Sequence, residues 1–316
     1  MISGPLAIRL RTAGLLAAGL TIAACGTGGA GQHPAASTGT AGARATATPA
    51  LGGSARPGSG ASAAAAAAQQ AQPPGAHQSG TQQSAAQPSA AQPGAARPLA
   101  GKTVGIDPGH NGGNAGDPSY INQLIWNGRA YETCDTTGTQ SDSGYTEARF
   151  NFNVASYLAA DLRHDGARVV LSRHTNGGVG PCVNRRAQIL NRAHSSVAID
   201  IHADGGPAWG RGFTVLEPIA DGPNNRVIRS SVRFGSDVRA ALLKDTGMPR
   251  SNYYGHDGVI FRDDLAGLNL TTVPKILIET GNMRNATDAR LLETSRFQKR
   301  VARAFTAAIV MFLTGR

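Results

Sequence analysis

Hydrophobic residues recur with two different spacings along the last two thirds of this 316-residue chain. Phe150, Val154, Leu158 and Leu162 stand four residues apart, which places them on one face of a helix, and Gly166 ends that pattern. Short runs rich in β-branched residues separate the helical stretches and predict strands. The pattern predicts strands over 103–107, 168–172, 197–201, 213–216 and 275–278, and helices from 147, over 183–193, over 226–245 and along 297–312.

The predicted strands and helices alternate, and this order indicates the fold class. Alternation of this kind is typical of a parallel sheet that is covered by helices on both faces. We therefore expect an α/β three-layer sandwich with a mostly parallel, twisted sheet. In such sheets ligands bind just beyond the carboxyl ends of the strands, so we expect functional side chains at that edge.

The first 100 residues differ sharply in composition from the remainder. They contain none of the 20 acidic residues and none of the 2 Trp, 6 Tyr and 8 Phe. Only five of the 30 Lys and Arg lie there, so the formal charge of +10 for the whole chain falls to +5 for residues 101–316. This later part is long enough for one globular domain. Because its basic residues are dispersed, nucleic-acid binding is not expected.

Residues 1–25 have the features of a signal peptide. Arg9 and Arg11 precede an apolar run that ends at Ile22-Ala23-Ala24-Cys25, and the run is too short for a permanent membrane-spanning helix. The ending resembles the lipobox of bacterial lipoproteins, which implies cleavage before Cys25 and a lipid on its sulfur. Ordinary signal cleavage with an incidental Cys25 is the alternative. Both interpretations predict an extracytoplasmic protein, and its only membrane contact would be an N-terminal lipid anchor.

Residues 26–100 consist mainly of Ala, Gly, Ser, Thr, Gln and Pro, with the repeat SAAQP at 84–88 and 89–93. Such a composition cannot bury a hydrophobic core, so we predict a disordered tether. As a flexible coil, a chain of this length has an end-to-end distance of about 45–50 Å. The folded domain is then expected over residues 101–316.

Ionisable side chains follow three of the predicted strands. His110 follows the first strand, His202 lies at the end of the third, Glu279 follows the last, and Glu147 opens the first helix. Two His and two Glu at one edge of a sheet suggest a zinc hydrolase with three protein ligands and one position open to water. Asp200 shares a strand face with His202, so it is an alternative ligand.

Six segments resemble, in order, the zinc-dependent N-acetylmuramoyl-L-alanine amidases that use two His and one Glu. They cover nearly the whole of residues 101–316, and their joint occurrence is more specific than any one motif. The segments are GKTVGIDPGHNGG (101–113), SGYTEARFN (143–151), ARVVLSR (167–173), RAQILN (186–191), VAIDIHADGG (197–206) and ILIETGNMRNATDARLL (276–292).

The resemblance implies a role for each of the four site residues. His110, Glu147 and His202 match the ligands of one zinc ion, and Glu279 matches the catalytic glutamate. The implied reaction cleaves the amide bond between the lactyl group of N-acetylmuramic acid and the L-alanine of the stem peptide. The expected partners are peptidoglycan or muropeptide fragments, with a role in cell-wall remodelling, turnover or daughter-cell separation, and the protein is expected to be a monomer.

Three further polar residues lie in the matching segments. Arg186 matches an arginine of the family and would either contact substrate or form a structural ion pair. Asn282 would contact substrate or hold its own turn. Asp107 would orient the turn that carries His110 without binding the metal itself.

Residues 111–146 form an insert that is longer than in many relatives, and it carries one of the two cysteines of the domain. Cys134 and Cys182 are expected to form a disulfide in an oxidising compartment, and a role in zinc binding is the alternative. The insert would contribute to a substrate groove or to a flap over the metal.

Two other functions would use a similar site. A zinc peptidase could hydrolyse a bond within the stem peptide, because the same chemistry cleaves any amide. A wall-binding module with an inactive site is the other, although the presence of Glu279 argues against it.

Overall fold

The computed structural model describes residues 97–316, so the predicted signal peptide, Cys25 and residues 26–96 of the predicted tether lie outside the described residues. The strands are β1 Thr103–Pro108, β2 Leu124–Trp126, β3 Tyr131–Thr133, β4 Arg168–Leu171, β5 Val197–Asp204, β6 Thr214–Pro218, β7 Val259–Arg262 and β8 Lys275–Asn282.

The helices are α1 Pro118–Ile121, α2 Glu147–His164, α3 Val183–Arg192, α4 Ile228–Thr246, α5 Ala266–Asn269, α6 Ala286–Leu292 and α7 Ser295–Thr314. Each strand and helix predicted from the hydrophobic pattern is present. The pattern did not predict the short pair β2 and β3, strand β7 or the short helices. Within residues 97–316, no helix combines the length and the apolar character that crossing a membrane requires.

Six strands form one sheet in the order β4-β1-β5-β8-β6-β7. All neighbours run parallel except β6 and β8, which are antiparallel. The prediction of a mostly parallel sheet is therefore confirmed. Because β6 and β7 run in the opposite direction, the loops that enter them lie at the same edge as the carboxyl ends of β1, β5 and β8.

Helices cover both faces of the sheet, which confirms the three-layer sandwich. On one face α2, α4 and α7 pack against the larger core, in which Phe150, Val154, Leu158 and Leu162 are fully buried. On the other face α3 and α5 cover smaller clusters that contain Leu190 and Leu268. Strands β2 and β3 form a separate antiparallel hairpin in the insert.

The folded region begins before Gly101, the start expected from composition. Leu99 is fully buried and belongs to the larger core. Its backbone N–H donates to the carbonyl of Asp165 at 2.9 Å, and its carbonyl accepts from the N–H of Lys102 at 3.0 Å. The composition of residues 97–100 does not indicate this burial, because an Ala-rich and Pro-rich segment does not reveal that one leucine packs into a distant core.

We expect Leu99→Ala to lower the free energy of unfolding by about 2–4 kcal/mol, because it leaves a cavity in the core. Urea unfolding followed by circular dichroism measures this loss. Leu124→Ala is the matched control, since Leu124 is 69% exposed. Equal stability of the two variants would show that residues 97–100 do not belong to the folded unit.

Candidate active site

The turn that carries His110 follows β1 through Pro108 and Gly109. Gly109 is required because a Cβ atom at this position would overlap the imidazole ring of His202. His110 has a left-handed backbone conformation with φ of 55°, which few residues other than glycine adopt. The turn brings the two imidazole rings together, with centroids 4.8 Å apart and planes at 86°.

Two buried arginines hold this turn by its carbonyl groups. Arg173 donates to the carbonyls of Pro108 at 2.8 Å and Gly109 at 3.2 Å. Arg186 donates to the carbonyls of Pro108 at 2.8 Å and His110 at 3.0 Å. These bonds satisfy backbone acceptors that are removed from water, and they supply the tertiary support that the unusual conformation of His110 needs.

Glu147 occupies the first position of α2 and is only 4% exposed. Its Oε1 lies 2.8 Å from Nδ1 of His202 and 3.3 Å from Nε2 of His110. Its Oε2 accepts a hydrogen bond from the backbone N–H of Thr139 at 3.0 Å. The carboxylate is therefore fixed at both oxygens, and the helix N-terminus favours its negative charge.

His110, Glu147 and His202 have the donor atoms and the spacing that a zinc site requires. One donor atom from each lies within 4.8 Å of the other two. Two imidazole nitrogens and one carboxylate oxygen are a donor set that catalytic zinc sites use, with a fourth position left for water. The three residues thus fit a zinc ion, and the metal would lie between the two rings and the carboxylate.

The charges of this group favour a cation at its centre. Burial disfavours the charged form of His110, but the attraction of Glu147 and a hydrogen bond that His110 donates to Asp135 outweigh it and raise the pKa of His110 to about 9. Burial likewise disfavours the ionised form of Glu147, yet the two histidines hold the pKa of Glu147 well below its usual value. Positive charge between these side chains is therefore stabilised.

Glu279 lies beside His202, because the two residues are register partners on β8 and β5. Burial raises the pKa of Glu279 to about 8, and Glu147 and Asp204 add to this effect while His202 opposes it. Its buried Oε2 has no hydrogen-bond partner among the described residues. The Glu279 carboxyl group can therefore hold a proton near neutral pH, as a general acid or base requires.

Asp107 lies beneath the His110 turn and is only 1% exposed. Its Oδ2 accepts from Nζ of Lys275 at 2.9 Å, and its Oδ1 accepts from Ser172 at 2.5 Å and from Arg186 at 3.3 Å. Among the described residues, no hydrogen bond or ion pair joins Asp107 to the imidazole ring of His110. It acts on the turn through Arg186, which binds the carbonyl of His110.

Asp200, the alternative metal ligand, lies outside the group of three. Its Oδ2 pairs with Nζ of Lys275 at 3.1 Å. Its Oδ1 lies 3.3 Å from Nε2 of His202, without the alignment of a hydrogen bond. Glu147 approaches Nδ1 of the same ring, so Asp200 lies on the opposite side of the imidazole from the candidate metal position. This geometry does not favour Asp200 as a ligand.

Arg186 and Asn282 use their polar groups within the protein. A guanidinium group has five N–H donors, and Arg186 makes five hydrogen bonds to described residues. The amide of Asn282 donates to the carbonyls of Pro207 and Gly210, both at 2.8 Å, and accepts from the N–H of Arg284 at 2.9 Å. For both residues the geometry favours the structural alternative over a substrate contact.

The disulfide between Cys134 and Cys182 is present, with the Cα atoms 4.5 Å apart. This confirms the predicted pairing, and the bonded sulfurs are not free to bind a metal. The bond connects the insert to the residue that precedes α3. The insert also supplies Glu132 and Thr133 to the wall of the candidate active-site cavity.

A cavity of about 500 Å³ lies beside the candidate metal position. One part of its wall is polar and includes His110, His202 and Glu279. The remainder is apolar or aromatic, with Leu216, Leu268, Leu277, Tyr253 and Tyr254 among its lining residues. The cavity thus joins the candidate reactive groups to a space that can receive part of a substrate.

Lys275, Asp135 and Arg173 also support the site, although no sequence pattern predicted a role for them. Lys275 lies in a strand that was predicted from its apolar neighbours, and a lysine within such a run is a signal for a buried ion pair. Asp135 lies in an insert without regular periodicity, so only its position beside Cys134 could have drawn attention to it. Arg173 lies in a matching segment, but nothing local shows which carbonyls it binds.

Comparison with known proteins agrees with this architecture. The N-acetylmuramoyl-L-alanine amidase family model matches residues 104–311. The amidase Rv3717 of Mycobacterium tuberculosis is 40% identical over 221 residues, which are 68% of this chain and 88% of that protein. The amidase Ami1 of Mycobacterium smegmatis has a TM-score of 0.65 at 36% identity, covering 69% of this chain and 99% of that one. Apo Ami1 of Mycobacterium abscessus gives a TM-score of 0.64 at 38% identity, covering 68% and 100%.

The family match and the relatives identify a hydrolase, and at the edge of its α/β sheet lies a His-Glu-His group that could hold a metal ion. The chain belongs to the N-acetylmuramoyl-L-alanine amidase family, on the strength of the family match and the 40% identity to a relative.

We expect Lys275→Met to lower the free energy of unfolding by about 3–5 kcal/mol at pH 7, because it leaves the buried carboxylates of Asp107 and Asp200 without their shared cation. Urea unfolding measures the change. Lys244→Met, on the exposed side of α4, serves as the control and should alter stability by no more than about 0.5 kcal/mol. A tolerated Lys275→Met would show that the buried ion pairs do not hold the site together.

Proposed function

We propose that this chain is a zinc-dependent N-acetylmuramoyl-L-alanine amidase that hydrolyses the bond between the lactyl group of N-acetylmuramic acid and the L-alanine of the stem peptide. The observation that carries the proposal is the group of donor atoms from His110, Glu147 and His202 within 4.8 Å of one another, with Glu279 beside it in a chain of this family. Peptidoglycan or its muropeptide fragments would be the substrate.

Three of the site residues would bind the metal and the fourth would transfer the proton. His110, Glu147 and His202 would hold zinc, which supplies positive charge that polarises a carbonyl and lowers the pKa of water. Glu279 would take a proton from the attacking water and deliver it to the nitrogen of L-alanine as the carbon–nitrogen bond breaks. A buried carboxyl with a pKa of about 8 is suited to both steps, because it gains and loses a proton near neutral pH.

Digestion of purified muropeptides, with the products identified by mass spectrometry, tests the reaction. Intact stem peptides with a free N-terminal L-alanine are the expected product. New termini within the stem peptide would instead identify a zinc peptidase, and binding without any product would identify an inactive wall-binding module.

Glu279→Gln is expected to lower turnover at least about 100-fold, because the amide cannot transfer the proton. Zinc should remain bound at one ion per chain, as measured by elemental analysis, because the three ligands are untouched. His110→Ala should lose both zinc and activity. Asp245→Asn, on the exposed side of α4, is the control and should retain activity. Near-normal turnover by Glu279→Gln would refute the assigned role.

We also propose that residues 1–25 export the protein, that Cys25 carries the lipid anchor, and that residues 26–96 link this anchor to the folded domain. The support is the lipobox-like ending at Cys25 and the low-complexity composition that follows it. Mass spectrometry of the mature N-terminus should find a lipid-modified cysteine. An unmodified mature N-terminus at another residue would contradict the anchor while leaving the amidase proposal intact.

A further inference from the structure

The side of His110 that faces away from the candidate metal position contacts the insert. Its Nδ1 lies 3.1 Å from Oδ1 of Asp135 and 3.2 Å from the carbonyl of Thr136, whereas its Nε2 faces Glu147. A neutral imidazole carries its proton on one nitrogen only, and acceptors beside Nδ1 hold the proton there. The lone pair of Nε2 is then directed toward the metal position.

Asp135 is itself held on both carboxylate oxygens and is 4% exposed. Its Oδ2 accepts from Nη2 of Arg186 at 3.0 Å, and its Oδ1 also accepts from the N–H of Thr136 at 2.8 Å. Arg186 donates to the carbonyl of His110 through the same nitrogen. Asp135 and Arg186 therefore fix the side chain and the backbone of one candidate ligand.

The disulfide lies directly behind these two residues. Cys134 precedes Asp135, and Cys182 precedes α3, whose first turn leads to Arg186. The N–H of Val183 also donates to the carbonyl of Cys134 at 2.8 Å. Asp135 has no regular secondary structure of its own. Its backbone N–H donates to the carbonyl of Ile121 at 3.2 Å, and the connections to α3 fix it on the side of Arg186.

We propose that Asp135 is a positioning residue for His110, and that the Cys134–Cys182 disulfide keeps Asp135 in place, so that the site binds zinc more tightly with the disulfide than without it. This inference rests on the proposed zinc site. The insert would then affect metal affinity directly, because its Asp135 supplies the acceptor for Nδ1 of His110.

The first test measures zinc dissociation constants of the full chain by competition with a chromophoric chelator. Asp135→Ala should weaken zinc binding about 10–100-fold, the usual effect of losing the acceptor behind a histidine ligand. Asp135→Asn should fall between this variant and the wild type, because the amide oxygen still accepts from His110 but its charge is lost. If Asp135→Ala does not fold, the zinc affinity of the isosteric Asp135→Asn variant tests the proposal in its place.

Asp117→Ala is the matched control, because Asp117 lies in the same insert and caps α1, accepting from the N–H of Tyr120 at 3.0 Å. It should bind zinc within about twofold of the wild type. Unfolding of each apo protein is measured in parallel. A purely structural role for Asp135 would lower the stability of the apo protein and leave the zinc dissociation constant unchanged, which would overturn the proposal.

The second test asks whether the disulfide acts through Asp135. The pair Cys134→Ser and Cys182→Ser should weaken zinc binding when Asp135 is present, and serines are chosen because free thiols would bind zinc themselves. Added to Asp135→Ala, the same pair should cause no further loss, since two changes that remove one interaction are not additive. Additive losses would overturn the coupling between the disulfide and Asp135.

The outcomes separate this inference from the proposed function. A wild-type chain that binds no zinc would overturn the proposed function and this inference with it. A wild-type chain that binds one zinc ion, beside an Asp135→Ala variant of equal affinity, would overturn this inference alone.

Discussion

The site depends on a single buried carboxylate, Asp107, that pairs with two cations. Lys275 connects it to Asp200, which lies beside His202, and Arg186 connects it to Asp135, which lies beside His110. Buried charges are costly unless each has its counterpart, so these side chains adopt one arrangement together. Because Lys275 begins β8 and Asp107 lies near the end of β1, the network also joins the strands whose carboxyl ends carry His202, Glu279 and the His110 turn.

The same edge of the sheet explains how distant residues become a reactive group. Parallel pairing sets Asp107 opposite Asp200 and His202 opposite Glu279, so the register of three strands decides which ionisable groups meet. Helix α2 then presents Glu147 from its first residue to both histidines. The reversed strands β6 and β7 place their entering loops at this edge, and through them Tyr253 reaches Asp204 with a hydrogen bond of 2.7 Å.

Much of the fold was predictable because the relevant signals are local. The four-residue spacing of Phe150, Val154, Leu158 and Leu162 marks a helix whatever surrounds it, and the order of strands and helices indicates the parallel sheet. The direction of β6 was not predictable, since no local property of residues 214–218 determines which strand they pair with. The burial of Leu99 was not predictable for a similar reason, because it depends on the larger core and on Asp165 beyond the end of α2.

The sequence by itself determined the order of the elements, the four residues that carry the proposed chemistry and the pairing of the two cysteines, because each follows from spacing, motif or count. Only the tertiary structure decided what the other charged residues do. Asp200 lies on the side of His202 that faces away from the candidate metal position. Arg186 donates all five of its N–H groups to other residues of the protein, and Asp135 lies within hydrogen-bond distance of Nδ1 of His110. These outcomes depend on which side chains lie opposite one another after folding, and contacts between residues far apart in the chain leave no local pattern.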